Sequence, residues 1–114
     1  MKLPNANLAI VDQDKITSYL LNPAHPDNGG EAPFFLALGF HHDDWQPLAA
    51  ALRKLAGTFP IAKKMESPHG LKYILGGKIE TPSGRSSTVR TIWIVDAGVE
   101  TPRLVTPYPL KDGD

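Results

Sequence analysis

The chain has 114 residues, 41% of them hydrophobic, with Lys plus Arg and Asp plus Glu both at 12 and no cysteine. That length suits one domain with a modest core, and the lack of cysteine excludes disulfides, thiolate nucleophiles and cysteine-bound zinc. Zero net charge argues against a general nucleic-acid binder, because neutralising phosphates needs an excess of cations.

The opening, MKLPNANLAIVD, carries one lysine and a short apolar patch that ends on an aspartate. It makes a poor signal peptide. No apolar run approaches the ~20 residues of a membrane span, so the expected location is the cytoplasm, with no membrane partner. Leu8, Ile10 and Val11 are expected to dock as a short extended segment. Asp12 is placed to cap a helix, on which Ile16, Tyr19 and Leu20 share one face. Asn22-Pro23 ends it, because the residue before proline is pushed out of the α region.

The next stretch, NPAHPDNGG, holds two prolines, two glycines and His25. Pro23 and Pro26 restrict φ on both sides of the imidazole. Such a loop either presents His25 for proton transfer near neutral pH or is a stiff connector with an incidental histidine.

A second helix is expected from Ala32 to Leu38, with Pro33 tolerated in its first turn and Gly39 as its stop. Phe34, Phe35, Leu36 and Leu38 make it apolar nearly all round, so it should be central. Asp43 is expected to cap a third helix. There Trp45, Leu48, Ala49, Leu52, Leu55 and Ala56 keep a 3.6-residue rhythm until Gly57. His41-His42-Asp43-Asp44 has metal-binding residue types, but neighbouring side chains at a helix start do not converge on one ion. No metal site is expected. His69, in Ser67-Pro68-His69-Gly70, reads as a solvated turn residue.

The rhythm then changes to two. Leu71, Tyr73 and Leu75 alternate with Lys72 and Ile74. Gly76-Gly77 in mid-run suggests a bulge or the close approach of another backbone. Thr81-Pro82-Ser83-Gly84 signals a turn. In the strongest strand, Val89, Thr91, Trp93 and Val95 take one face, and Thr88, Arg90, Ile92 and Ile94 the other. Asp96-Ala97-Gly98 opens the next connection. Arg103 to Tyr108 forms a last strand near a sheet edge, and a period of two puts Leu104, Thr106 and Tyr108 on one face. Lys63, Lys64, Lys72, Lys78, Arg85, Arg90, Arg103 and Lys111 outnumber Glu66, Glu80, Asp96, Glu100 and Asp112, so the second half is mildly basic.

The expected architecture is α+β, with three N-terminal helices packed on a three- to four-stranded antiparallel sheet. Residues 1–110 make the domain and 111–114 a loose tail. There is no P-loop, GxGxxG or GxSxG, and no cofactor is expected. Arg90 and Arg103, on neighbouring strands, are candidates for a two-pronged phosphate site. The plainer alternative is an edge strand with exposed arginines and a packed tyrosine.

Three stretches, KLPNANLAIVD, YLLNPAHPDNGGEAPFFLALGF and STVRTIWIVDAGVETPRLVTPYPL, resemble an uncharacterised family of small bacterial domains. Its members occur alone and as C-terminal modules of polymorphic toxins. By analogy, modules of this shape are similar to metal-independent ribonucleases of the barnase, colicin and RelE-like group. The resemblance implies a site at His25, Arg90, Arg103, Thr106 and Tyr108. His25 would be the base, the arginines would hold the phosphate, and Thr106 or Tyr108 would donate a hydrogen bond. RNA is the implied substrate. A non-catalytic domain partnering a small neighbouring protein is the other reading. Glu31 departs from relatives that often carry a basic residue just before the apolar helix.

Overall fold

The computed structural model describes residues 2–22 and 31–109. The loop that carries His25 and the tail at 111–114 lie outside the described residues.

Hydrophobic alternation builds the sheet. Strands β1 (Lys63–Ser67), β2 (Gly70–Ile79), β3 (Ser87–Asp96) and β4 (Arg103–Pro109) form one antiparallel sheet in the order β1-β2-β3-β4. One parity of residues turns inward. Tyr73, Leu75, Ile79, Val89, Trp93 and Leu104 all join the main core. Thr91 is the buried polar member of this set. Its hydroxyl donates to the Leu75 carbonyl (3.0 Å) and accepts from the Trp93 indole N–H (2.8 Å), so both buried polar groups are satisfied.

Helix α1 (Glu31–Ala37) buries Ala32 and Phe35 but leaves Pro33 and Ala37 exposed. It is therefore less enclosed than its composition implies. Helix α2 (Gln46–Thr58) buries Leu48, Ala49, Leu52, Leu55 and Ala56, the rhythm expected from the sequence. Its cap differs from expectation. Trp45, not Asp43, is the N-cap, and it makes no side-chain capping bond. The Asp43 carboxylate lies 3.5 Å from His42 Nδ1 instead. Nor does Gly57 end the helix. The helical pattern runs one residue further, and Phe59 closes it in an extended conformation.

The segment after Asp12 is wound as a π-helix over Lys15–Leu20. The Leu21 amide donates to the Ile16 carbonyl, five residues back, at 2.8 Å. The wider turn brings Leu20 and Leu21 together beneath Ile16, and all three are buried. Asp12 receives the Ile16 amide with its carbonyl rather than its carboxylate (3.4 Å). The N-terminal arm docks only in part as an extended segment: Leu8 closes a 3-10 turn over Ala6–Leu8 and is exposed, as is Ile10, and Val11 is buried. Ile10 pairs with the outer edge of β4, donating to Pro102 and accepting from Leu104, both at 2.9 Å.

Two details of the sheet correct the sequence reading. Pairing between β2 and β3 is continuous through Gly76 and Gly77, so there is no bulge there. What approaches Gly77 is not another backbone but the Phe59 ring, 2.3 Å from where a Cβ would stand. The irregularity lies instead between β3 and β4, at Ile92/Trp93. Thr106 pairs with Ile92 and Leu104 with Trp93, which leaves Val105 as the extra residue. Leu104 therefore turns to the core and does not share a face with Thr106 and Tyr108. The bulge carries Arg103 to the opposite face.

Candidate functional site on the open face of the sheet

The helices cover one side of the sheet. The other parity forms the opposite face, on which Arg90 is exposed and Ile94 buried, and its cross-strand rows follow from the register. Gly76, Arg90 and Tyr108 make one row. Lys63, Ile74, Ile92 and Thr106 make the next, and Met65, Lys72, Ile94 and Arg103 a third. Lys78 faces Thr88 at the hairpin end. Four of the five residues expected to form a site are placed. Arg90, Arg103, Thr106 and Tyr108 all belong to this face. His25 lies outside the described residues.

Arg90 is exposed, and its guanidinium lies 6.0 Å from the centre of the half-buried Tyr108 ring. That separation allows a cation–π contact. Gly76, the cross-strand neighbour of Arg90, offers no side chain to crowd it. The Thr106 hydroxyl donates to the Pro107 carbonyl at 3.2 Å, leaving its lone pairs available to accept.

Arg103 is engaged differently. Its Nε donates to Asp96 Oδ2 at 2.8 Å and its terminal nitrogen to Oδ1 at 3.2 Å, a two-point pairing. The hydrogen bond from Arg103 holds the Asp96 carboxyl below its ordinary range, helped by the guanidinium charge and by His69 and opposed by partial desolvation. The same bond raises Arg103. In the register Arg103 faces Ile94, four residues along β3 from Arg90, or about 13 Å of strand. Asp96 draws its guanidinium still further away. The structure does not bring the two arginines together around one point.

Lys54 pairs with Glu80 and Arg103 with Asp96, whereas Lys78, Arg85 and Arg90 stand in no ion pair among the described residues. Lys72 and Lys78 were not singled out as site residues from the sequence. Their signal was parity, since Lys72, Ile74, Gly76 and Lys78 alternate with the core residues of β2. Among the described residues, no group of three or more His, Asp or Glu side chains is arranged to hold a metal ion. No helix among them is long and apolar enough to cross a membrane.

No curated protein matches the chain. Among solved structures, the fold is similar to a chain from a contact-dependent growth inhibition toxin–immunity protein complex of Klebsiella pneumoniae 342. The TM-score is 0.74 and the identity 20%, over 89% of this chain and 99% of that one. At that identity the likeness is one of fold. Residues 2–111 match the family described as Domain of unknown function (DUF6883), and the chain belongs to that family.

Proposed function

We propose that this chain is a toxin-related module that binds and cleaves RNA without a metal ion, using the open face of its sheet. The observation that carries the reading is Arg90, exposed and in no ion pair among the described residues, set beside Tyr108 on the sheet face opposite the main core, with Thr106 in the next row of that face. The similar fold in a toxin–immunity complex supports the same direction.

In the reaction, the His25 imidazole takes the ribose 2′-hydroxyl proton. The 2′-oxygen attacks phosphorus and the bond to the 5′-oxygen breaks, that oxygen leaving with a proton from Tyr108; solvent then takes the proton held by His25 and returns one to Tyr108. The products are a 2′,3′-cyclic phosphate and a 5′-hydroxyl. Arg90 stabilises the charge that builds on the phosphoryl oxygens. Arg103, committed to Asp96, fixes the far end of the face. Thr106 accepts a hydrogen bond from the ribose. Incubation of purified protein with RNA in EDTA tests this. Arg90→Ala should slow cleavage by about a hundredfold, with losses in His25→Ala and Tyr108→Phe. No cleavage by the wild-type chain, or cleavage undiminished in all three variants, rules the reading out.

A second reading is a non-catalytic domain that pairs with a small neighbouring protein. The Arg103–Asp96 pairing favours it, since it withdraws one expected phosphate ligand. Co-purification of a stoichiometric protein partner, with no RNA cleavage, would establish it.

A further inference from the structure

A second feature stands at the hairpin end of the same sheet. A hollow of about 460 Å³ lies between α1 and the start of β3, lined by Lys78, Arg85, Ser86, Ser87 and Thr88, with Phe34 on its apolar side. Among the described residues, no carboxylate lines it. Glu80, the acid of the neighbouring loop, lies 3.7 Å from the Lys54 ammonium. Two cations in no ion pair and three hydroxyl groups thus surround one concavity, the donor set that phosphoryl oxygens require.

The hollow is built on a braced loop. The Thr81 hydroxyl bonds to the Arg85 carbonyl and lies 3.0 Å from the Ser83 hydroxyl. The Ser83 amide donates to Leu38 at 3.2 Å, which ties the loop to the end of α1. Gly39, at φ +97, permits this approach, because a Cβ there would stand 3.0 Å from the Ser83 nitrogen. Such bracing lowers the entropy cost of fixing an anion. The half-buried Phe34 ring gives an adjoining apolar surface of the kind on which a nucleobase stacks.

We infer that this hollow is a phosphoryl-binding subsite, which takes the RNA phosphate next to the one held at Arg90. The inference rests on the RNA reading for its ligand. Thr88 and Arg90 are two residues apart on one face of β3, about 7 Å, comparable to the step between successive phosphates of an extended single strand.

Two measurements on the full chain test it. The first titrates inorganic phosphate against chloride at equal ionic strength and follows the backbone amides by NMR. Saturable shifts at Ser86, Ser87 and Thr88, lost in the Lys78→Ala/Arg85→Ala double variant and retained in Arg85→Lys, are expected. Absence of a saturable shift in the wild type overturns the proposal. The second measures anisotropy of a labelled single-stranded RNA 12-mer across a salt series. The double variant should bind about tenfold more weakly, with a salt slope smaller by about 0.7, the value for one phosphate on a single strand. Arg53→Ala, on the exposed side of α2, should bind as the wild type does. Unchanged affinity and slope in the double variant, with loss in Arg90→Ala, overturns the subsite and leaves the RNA reading standing. Phosphate shifts without RNA binding leave the phosphoryl pocket standing and remove the RNA reading instead.

Discussion

Replacing Gly77 by alanine tests how α2 is seated on the sheet. Gly77 is not among the positive-φ glycines, so the backbone itself accepts a side chain. The obstacle is Phe59. An ideal Cβ at position 77 stands 2.3, 2.4 and 2.6 Å from three ring carbons, one of them Cγ, next to the attachment of the ring. Swinging the ring tip does not relieve such a contact, so either the ring leaves its seat or the helix end shifts. Overpacking of this kind costs about 1–3 kcal/mol. Reduced freedom of the unfolded chain offsets about 0.4–1 kcal/mol of that. The net expectation is a loss of about 1–2 kcal/mol, a fall in Tm of roughly 5–10 °C for a chain of this size, read by thermal or urea unfolding. The decisive measurement is a double-mutant cycle. In a Phe59→Ala background the alanine at 77 has room, and its effect should vanish or become slightly stabilising. If Gly77→Ala costs as much without the ring as with it, the steric account is wrong.

Other outcomes follow from single contacts. Thr91→Val should cost about 1–3 kcal/mol, because it leaves the buried Trp93 N–H without its acceptor; if urea unfolding shows no change, the hydrogen bond is not what holds that site. The Asp96 carboxyl is depressed by Arg103, so its stabilisation is present above the ordinary carboxyl value of about 3.9. It is lost as pH falls through the lower folded value. Asp96→Asn should therefore lower stability modestly in the neutral range, leave it unchanged at pH values below the folded value, and so flatten the acid limb, as seen in unfolding at stepped pH. High salt should weaken the same exposed pair, and an acid limb insensitive to both changes would argue against it.

How far the sequence discloses this fold varies by element. The rhythm of α2 and the parity of β3 are legible because each buries one continuous stripe, and Leu52 or Trp93 can sit only on the side that the pattern gives. Strand β1 is not legible. Lys63, Lys64 and Glu66 are exposed on an edge, so no apolar alternation marks it. The π-helix escapes notice because Leu20 and Leu21 fit an ordinary helix as written; only tertiary burial of both favours the wider turn. The glycine pair announces a close approach but not its agent, since Phe59 is distant in sequence. For the candidate site, Arg90, Thr106 and Tyr108 follow from alternation. Arg103 joins them only through the Val105 bulge, which no residue type at that position signals.

Charge sorting explains how a chain of zero net charge presents a cationic surface. Acidic and basic residues balance in number, but the strand period separates them. Lys63, Lys72, Lys78, Arg90 and Arg103 share the sheet face opposite the main core, where, among the described residues, Asp96 is the matching acid and is held by Arg103. Glu66 has the other parity, opposite Leu71, and Glu80 follows the end of β2 beside Lys54. The local field over Lys78 and Arg90 is thus set by neighbours within a Debye length, about 8 Å at physiological salt, rather than by the net charge. Net neutrality weighs against long-range capture of a polyanion; it does not weigh against a short-range grip on a few phosphates. Any RNA binding by this face should accordingly show a shallow salt slope, set by the few phosphates in reach, and a slope like that of a broadly basic protein would mean that another surface does the binding.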